Sequence, residues 1–109
     1  GLGAARRLTN KAQFERLLRE GRRKKVAGYT FYLEQREAGG PRLGLLVTRK
    51  HAARANARNR IKRCVREAFR LEQGRLGPMD VLVRPPYGVE PSAQMILRVR
   101  ELFRTLCDS

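Results

Sequence analysis

Apolar residues recur along this chain in three stretches of helical period, separated by stretches that alternate. Between residues 10 and 20, Phe14, Leu17 and Leu18 return at three and four positions, the spacing of one helix face, and Thr9 just ahead can cap the free amides. Gly21 marks the end of that helix. Beyond the basic cluster Arg22, Arg23, Lys24 and Lys25 the period drops to two. Tyr29, Phe31 and Leu33 fall on one face of a strand, and Thr30, Tyr32 and Glu34 on the other. Gly39-Gly40-Pro41 reads as a turn, after which Leu43, Leu45 and Val47 continue as a second strand over 42–48, paired antiparallel with the first. From Arg54 to about Gln73 the helical period returns, with Ile61, Val65, Ala68 and Phe69 on one face and Gly74 and Gly77-Pro78 closing it. Val81, Leu82 and Val83, bounded by Asp80 and by Pro85-Pro86, form a short apolar run that predicts a buried strand. Pro91 and Ser92 then open a last helix, carried by Met95, Val99, Leu102 and Leu106 with Ile96 and Phe103 beside them.

No repeat, low-complexity stretch or long linker interrupts this order, so the 109 residues read as one domain, 1–109. The charge changes the picture. Twenty-five Lys and Arg stand against ten Asp and Glu, a net charge of +15 and a pI near 11.4, which calls for a polyanionic partner. A single histidine, His51, and two cysteines 43 positions apart, Cys64 and Cys107, supply neither a four-ligand zinc site nor a spare base for a nucleophile. The scattered carboxylates give no acid–base pair, so no residue of the chain is expected to be catalytic and none to hold a metal. Asp80 is expected to cap its strand or pair with an arginine rather than hold a metal, and His51 to lie in a loop. Without a CxxC, the two cysteines read as thiols of a reducing cytoplasm. No apolar run approaches the roughly 18 residues of a membrane span, and the start at Gly1 reads as trimmed or as carrying a cloning scar.

The densest signal runs from 49 to 70. Arg49, Lys50, Arg54, Arg58, Arg60, Lys62, Arg63, Arg66 and Arg70 face only one acidic residue, Glu67. At about 100° per residue, Asn59, Lys62, Arg63, Arg66 and Arg70 share a sector opposite Ile61, Val65 and Ala68. One face of the helix is core and the other cationic. A solvated surface helix normally alternates signs, and here the compensating acids are nearly absent, which points to a ligand that supplies them. Arginine's planar fork can grip phosphate oxygens in pairs and stack on bases, and Asn59 adds a neutral donor and acceptor.

The run Arg58-Asn59-Arg60-Ile61-Lys62-Arg63-Cys64-Val65-Arg66-Glu67-Ala68-Phe69-Arg70 resembles the signature of the protein subunit of bacterial ribonuclease P. The Arg42-Leu43-Gly44 strand start leading to Arg49-Lys50, the early helix with Phe14, the Asp80-Val81 strand and the closing helix with Leu102 stand in that family's order, so the resemblance covers about 6–107. The chain departs from the family in having Arg49-Lys50 where Lys-Lys is more common, and Ala55-Asn56 where Ala-Val is.

The resemblance implies an α+β fold, a two-layer α/β sandwich. Three helices and a mixed sheet of about four strands follow the order α-β-β-β-α-β-α, ribosomal-protein-like with a left-handed crossover at the basic helix. It implies a protein that binds a catalytic RNA and the single-stranded 5′ leader of precursor tRNA. The RNA performs the cleavage and holds most of the Mg2+, and no membrane or further protein is required. The positions matching the RNA-contacting motif are Arg58, Asn59, Arg60, Lys62, Arg63, Arg66 and Arg70, with Arg49, Lys50 and Arg54 added. Those matching the leader cleft are Phe14, Leu18 and Tyr32, where an aromatic can stack on an unpaired base. Because a chain this short covers one sheet face thoroughly, the face bearing Tyr32 is expected to stay partly open as a trough. Two other readings share the composition, a structural protein of ribosomal RNA and an autonomous nuclease. The thirteen-residue run is what separates the first from them.

Overall fold

The computed structural model describes residues 2–107. A short 3-10 turn at Ala4–Arg6 leads to helix α1 (Lys11–Glu20), strands β1 (Arg22–Val26), β2 (Tyr29–Gln35) and β3 (Arg42–Leu45), helix α2 (Ala55–Leu76), strand β4 (Met79–Arg84) and helix α3 (Ala93–Cys107). The strands form one mixed sheet in the order β1-β2-β4-β3.

Two of these elements differ from the sequence expectation. The basic cluster at 22–25, to which periodicity assigned no element, is the edge strand β1, antiparallel to β2 with Lys24 opposite Phe31, and it is the first of the three strands that the resemblance implies ahead of the basic helix. Ala27 and Gly28, with φ of 52° and 83°, make the two-residue left-handed turn of a tight hairpin. Charged side chains suit an edge, where they discourage pairing with a further chain. Residues 42–45 do not pair with β2. They run parallel to β4, Arg42 beside Asp80 and Leu45 beside Val83, because β4 occupies the inner edge of β2 through six antiparallel pairs. The strand also ends at Leu45, short of the expected 48.

Helix boundaries moved by a few residues for local reasons. Asn10, not Thr9, caps α1, its side-chain oxygen accepting the Ala12 N–H at 2.7 Å. α2 passes through Gly74 to bury Leu76 and stops at Gly77, whose φ of 68° is the left-handed end that glycine adopts without strain. Ser92 caps α3 by accepting the Met95 N–H at 3.1 Å.

The larger core lies between α2, α3 and the sheet face of Phe31, Val81 and Val83. Phe103 meets Phe31 and Phe69 edge-on, with centroids 6.0 and 5.7 Å apart. At its margin Glu72, only 2% exposed, accepts from Arg100 at 2.8 Å and from Arg104 at 3.0 Å, fastening α2 to α3. A smaller core of Leu8, Leu17, Tyr32 and Leu82 fills the opposite face under α1. Asp80 is bound by both arms of Arg42, at 2.7 and 2.8 Å, as expected of an arginine partner. Cys64 and Cys107 remain thiols. Among the described residues no helix is long and apolar enough to cross a membrane.

Candidate nucleic-acid interface

The sequence turns α2 so that Ile61, Val65, Ala68 and Phe69 are buried and the arginines between them are left outside. Asn59, Arg60 and Arg63 are exposed, as are Arg49, Lys50 and Arg54 on the approach to the helix, while Lys62 and Arg66 are half-buried. Two expected contact residues are already engaged. Arg58 donates to the carbonyls of Ala52 and Ala53 at 3.0 and 2.9 Å, tying down the entry to α2 where Arg54 offers no side-chain cap. Arg70 is paired with Glu67 through two bonds of 3.1 and 2.6 Å, which holds the Glu67 carboxyl below its usual range.

Arg66 differs from both. Partial burial lowers its pKa, and repulsion from Arg7 and Arg63 lowers it further. Glu67 lines the same opening but is held by Arg70, so three guanidiniums are drawn together beside one acid already engaged elsewhere, which favours a bound anion. Arg7 lies in the segment ahead of α1, which shows no periodicity that would single it out. In the fold that segment is tied to the sheet, with Leu8 N–H donating to the Leu43 carbonyl at 2.8 Å and Arg7 bridging to Leu43.

At the β3 edge, the apolar side chains of Phe14, Leu43 and Leu45 and the cations Arg7, Lys62 and Arg66 line a cleft of about 280 Å³. Phe14 therefore stands next to the cationic helix. Tyr32 and Leu18 do not join it. Tyr32 is buried with Leu17 and Leu82, because α1 and Leu8 close over the face that was expected to stay open. Leu18 does not line the cleft and is 43% exposed.

His51 is buried and braces the basic loop. Its Nδ1 accepts the Thr48 N–H at 2.9 Å, so Nε2 carries the proton and donates to the Pro85 carbonyl at 2.8 Å, while its ring lies 4.6 Å from that of Tyr87.

A family model described as Ribonuclease P matches residues 2–107. The ribonuclease P protein component of Thioalkalivibrio sulfidiphilus is 40% identical over 77 residues, 71% of this chain and 64% of that protein. The corresponding component of Yersinia enterocolitica is 41% identical over 83 residues, covering 76% and 70%. The match thus spans less than two thirds of the first of these relatives. Among solved structures, the RNase P protein of Staphylococcus aureus superposes with a TM-score of 0.77 at 24% identity, over 95% of this chain and 94% of that one. The protein from Thermotoga maritima gives 0.65 at 26% identity, over 94% and 88%.

Proposed function

The chain belongs to the ribonuclease P protein family, and from that membership we propose that it is the RNA-binding subunit of a ribonucleoprotein that removes the 5′ leader of precursor tRNA. The observation that carries this reading is the cationic face of α2 beside the cleft of Phe14. The exposed face, with Arg60 and Arg63, offers charge to a folded RNA backbone. The cleft offers one aromatic surface with Lys62 and Arg66 next to it, which suits a single strand bound with little regard to sequence.

In this reading the chemistry belongs to the RNA component, and the protein binds and orients. Mg2+ supplies the activation of water in such a cleavage, and the buried carboxylates of this chain do not fit it. Those of Asp80 and Glu72 are committed to Arg42 and to Arg100 and Arg104, and the described residues bring no three acidic, cysteine or histidine side chains together. We therefore assign the metal to the RNA.

Reconstitution tests the proposal. Mixed with a bacterial ribonuclease P RNA and precursor tRNA, the chain should restore 5′ processing at a magnesium concentration where the RNA alone is nearly inactive. Unchanged processing, or purification of the chain with whole ribosomal subunits, would defeat it.

A further inference from the structure

The flank of α2 turned away from the Phe14 cleft holds a second opening. A cavity of about 390 Å³ lies between Arg60, Arg63, Cys64 and Glu67 of α2 and Pro91 and Ile96 at the entry to α3. That volume is in the range of small-molecule sites, roughly 300–1,000 Å³. Its lining is mostly apolar. Cys64 is 9% exposed, and its sulfur makes only a long 3.8 Å contact with the Ser92 carbonyl. Glu67 is held by Arg70, whereas Arg60 and Arg63 have no acidic partner within 4 Å among the described residues.

These features restrict the occupant. A bare phosphate would satisfy the arginines but leave the apolar wall wet, and an apolar peptide side chain would cover the wall but desolvate two uncompensated charges. A flat heteroaromatic ring bearing a phosphate meets both demands, since a guanidinium can stack on the ring and its neighbour can bind the phosphate.

We propose that this cavity receives one unstacked nucleobase of the RNA component, its ring between Cys64, Pro91 and Ile96 and its phosphate on Arg60 or Arg63. The inference rests on the subunit reading above. It commits to the RNA component because the leader is assigned to the opposite flank, at Lys62 and Arg66.

The thiol inside the cavity reports on its occupancy. Iodoacetamide labelling of the full chain, followed by mass spectrometry, should show Cys64 protected at least tenfold when the RNA component is added, with the exposed Cys107 unchanged. Inorganic polyphosphate, which has the charge and no base, should protect little. Ile96→Ala should weaken binding of the RNA component by about tenfold, the low end of what stacking one base contributes. The dependence on salt should keep its slope, and Ile96→Met should restore affinity. Equal protection by polyphosphate would reduce the cavity to a neighbour of an anion site and overturn the proposal. Undiminished labelling of Cys64 in an RNA-bound chain would overturn it while leaving the subunit reading intact. If the RNA component fails to bind at all, both fall.

Discussion

The ring of Phe14 rests on Gly44, where an added β-carbon would stand 3.1 Å from its Cε1 and 3.2 Å from its Cζ. Gly44 belongs to β3, beside Leu82 of β4, so the sheet itself sets the position of the one aromatic in the cleft. Phe14→Ala should weaken binding of precursor tRNA by about 1–3 kcal/mol and leave mature tRNA, which lacks the leader, unchanged. Gly44→Ala should act in the same direction by tilting the ring. The double variant should lose little more than Phe14→Ala alone, because both changes remove one contact. Titrations of the two tRNAs against the reconstituted complex measure this, and full additivity would show that the ring does not meet the leader.

Tyr32 should behave differently, as a core residue. Tyr32→Ala is expected to lower stability by about 3–5 kcal/mol and to weaken precursor and mature tRNA alike where any loss appears. Urea unfolding, read beside the same titrations, distinguishes it from Phe14→Ala.

That contrast shows how far the sequence could be read. Period-two alternation placed Tyr32 on the face opposite Phe31, and this is where it lies, but alternation says nothing about what covers a face. The cover is Leu17 and Leu8, brought there by α1 and by the bond from Leu8 to Leu43. Likewise the alternation of Leu43 and Leu45 fits an antiparallel or a parallel neighbour equally well, so the pairing with β4 was not available from pattern. β1 was hidden because four cations in a row look like a solvated turn. The basic face of α2 was readable almost whole, since 3.6-residue periodicity and charge agreed there. The engagement of Arg58 and Arg70 was not, because carbonyls at a helix entry and an i,i+3 acid are satisfied by geometry that charge counting ignores.

Acid should loosen the contact between α2 and α3. Hydrogen bonds from Arg104 and Arg100 hold the Glu72 carboxyl below its ordinary value of 4.5. A carboxylate depressed in the folded state contributes stability that is present above the unfolded value and is lost as pH falls through the folded one. Stability from this group should therefore be constant from neutral pH down to about 5 and decline below 4.5. Glu72→Gln should remove on the order of 3 kcal/mol at pH 7 and flatten that acid decline, as measured by urea midpoints at pH 7 and 3.5.

The loop preceding α2 depends on His51 for its shape. His51→Ala removes the acceptor for Thr48 N–H and the donor to the Pro85 carbonyl, so the Thr48 amide should exchange at least tenfold faster in deuterium-exchange experiments. Affinity for the RNA component should fall with it, because Arg49, Lys50 and Arg54 lose their common orientation. Unchanged exchange at Thr48 would mean that the loop is held by other contacts.

The last expectation concerns which arginines carry the affinity. Each phosphate neutralised by the protein adds about 0.7–0.9 to the slope of log affinity against log salt, because condensed counterions are released. Arg60 and Arg63 are exposed on α2 and have no acidic partner among the described residues, so their charges are available to a backbone. If each binds one phosphate of the RNA component, Arg60→Gln with Arg63→Gln should lower the slope by about 1.4–1.8. Arg58 carries the same formal charge on the same helix, yet its guanidinium is spent on the Ala52 and Ala53 carbonyls. Arg58→Gln should therefore shift the melting temperature and leave the slope nearly unchanged. A slope that falls equally for Arg58 and for Arg60 would mean that the RNA reads only the net charge of the helix. A slope that moves for none of them would place the docking surface elsewhere on the protein.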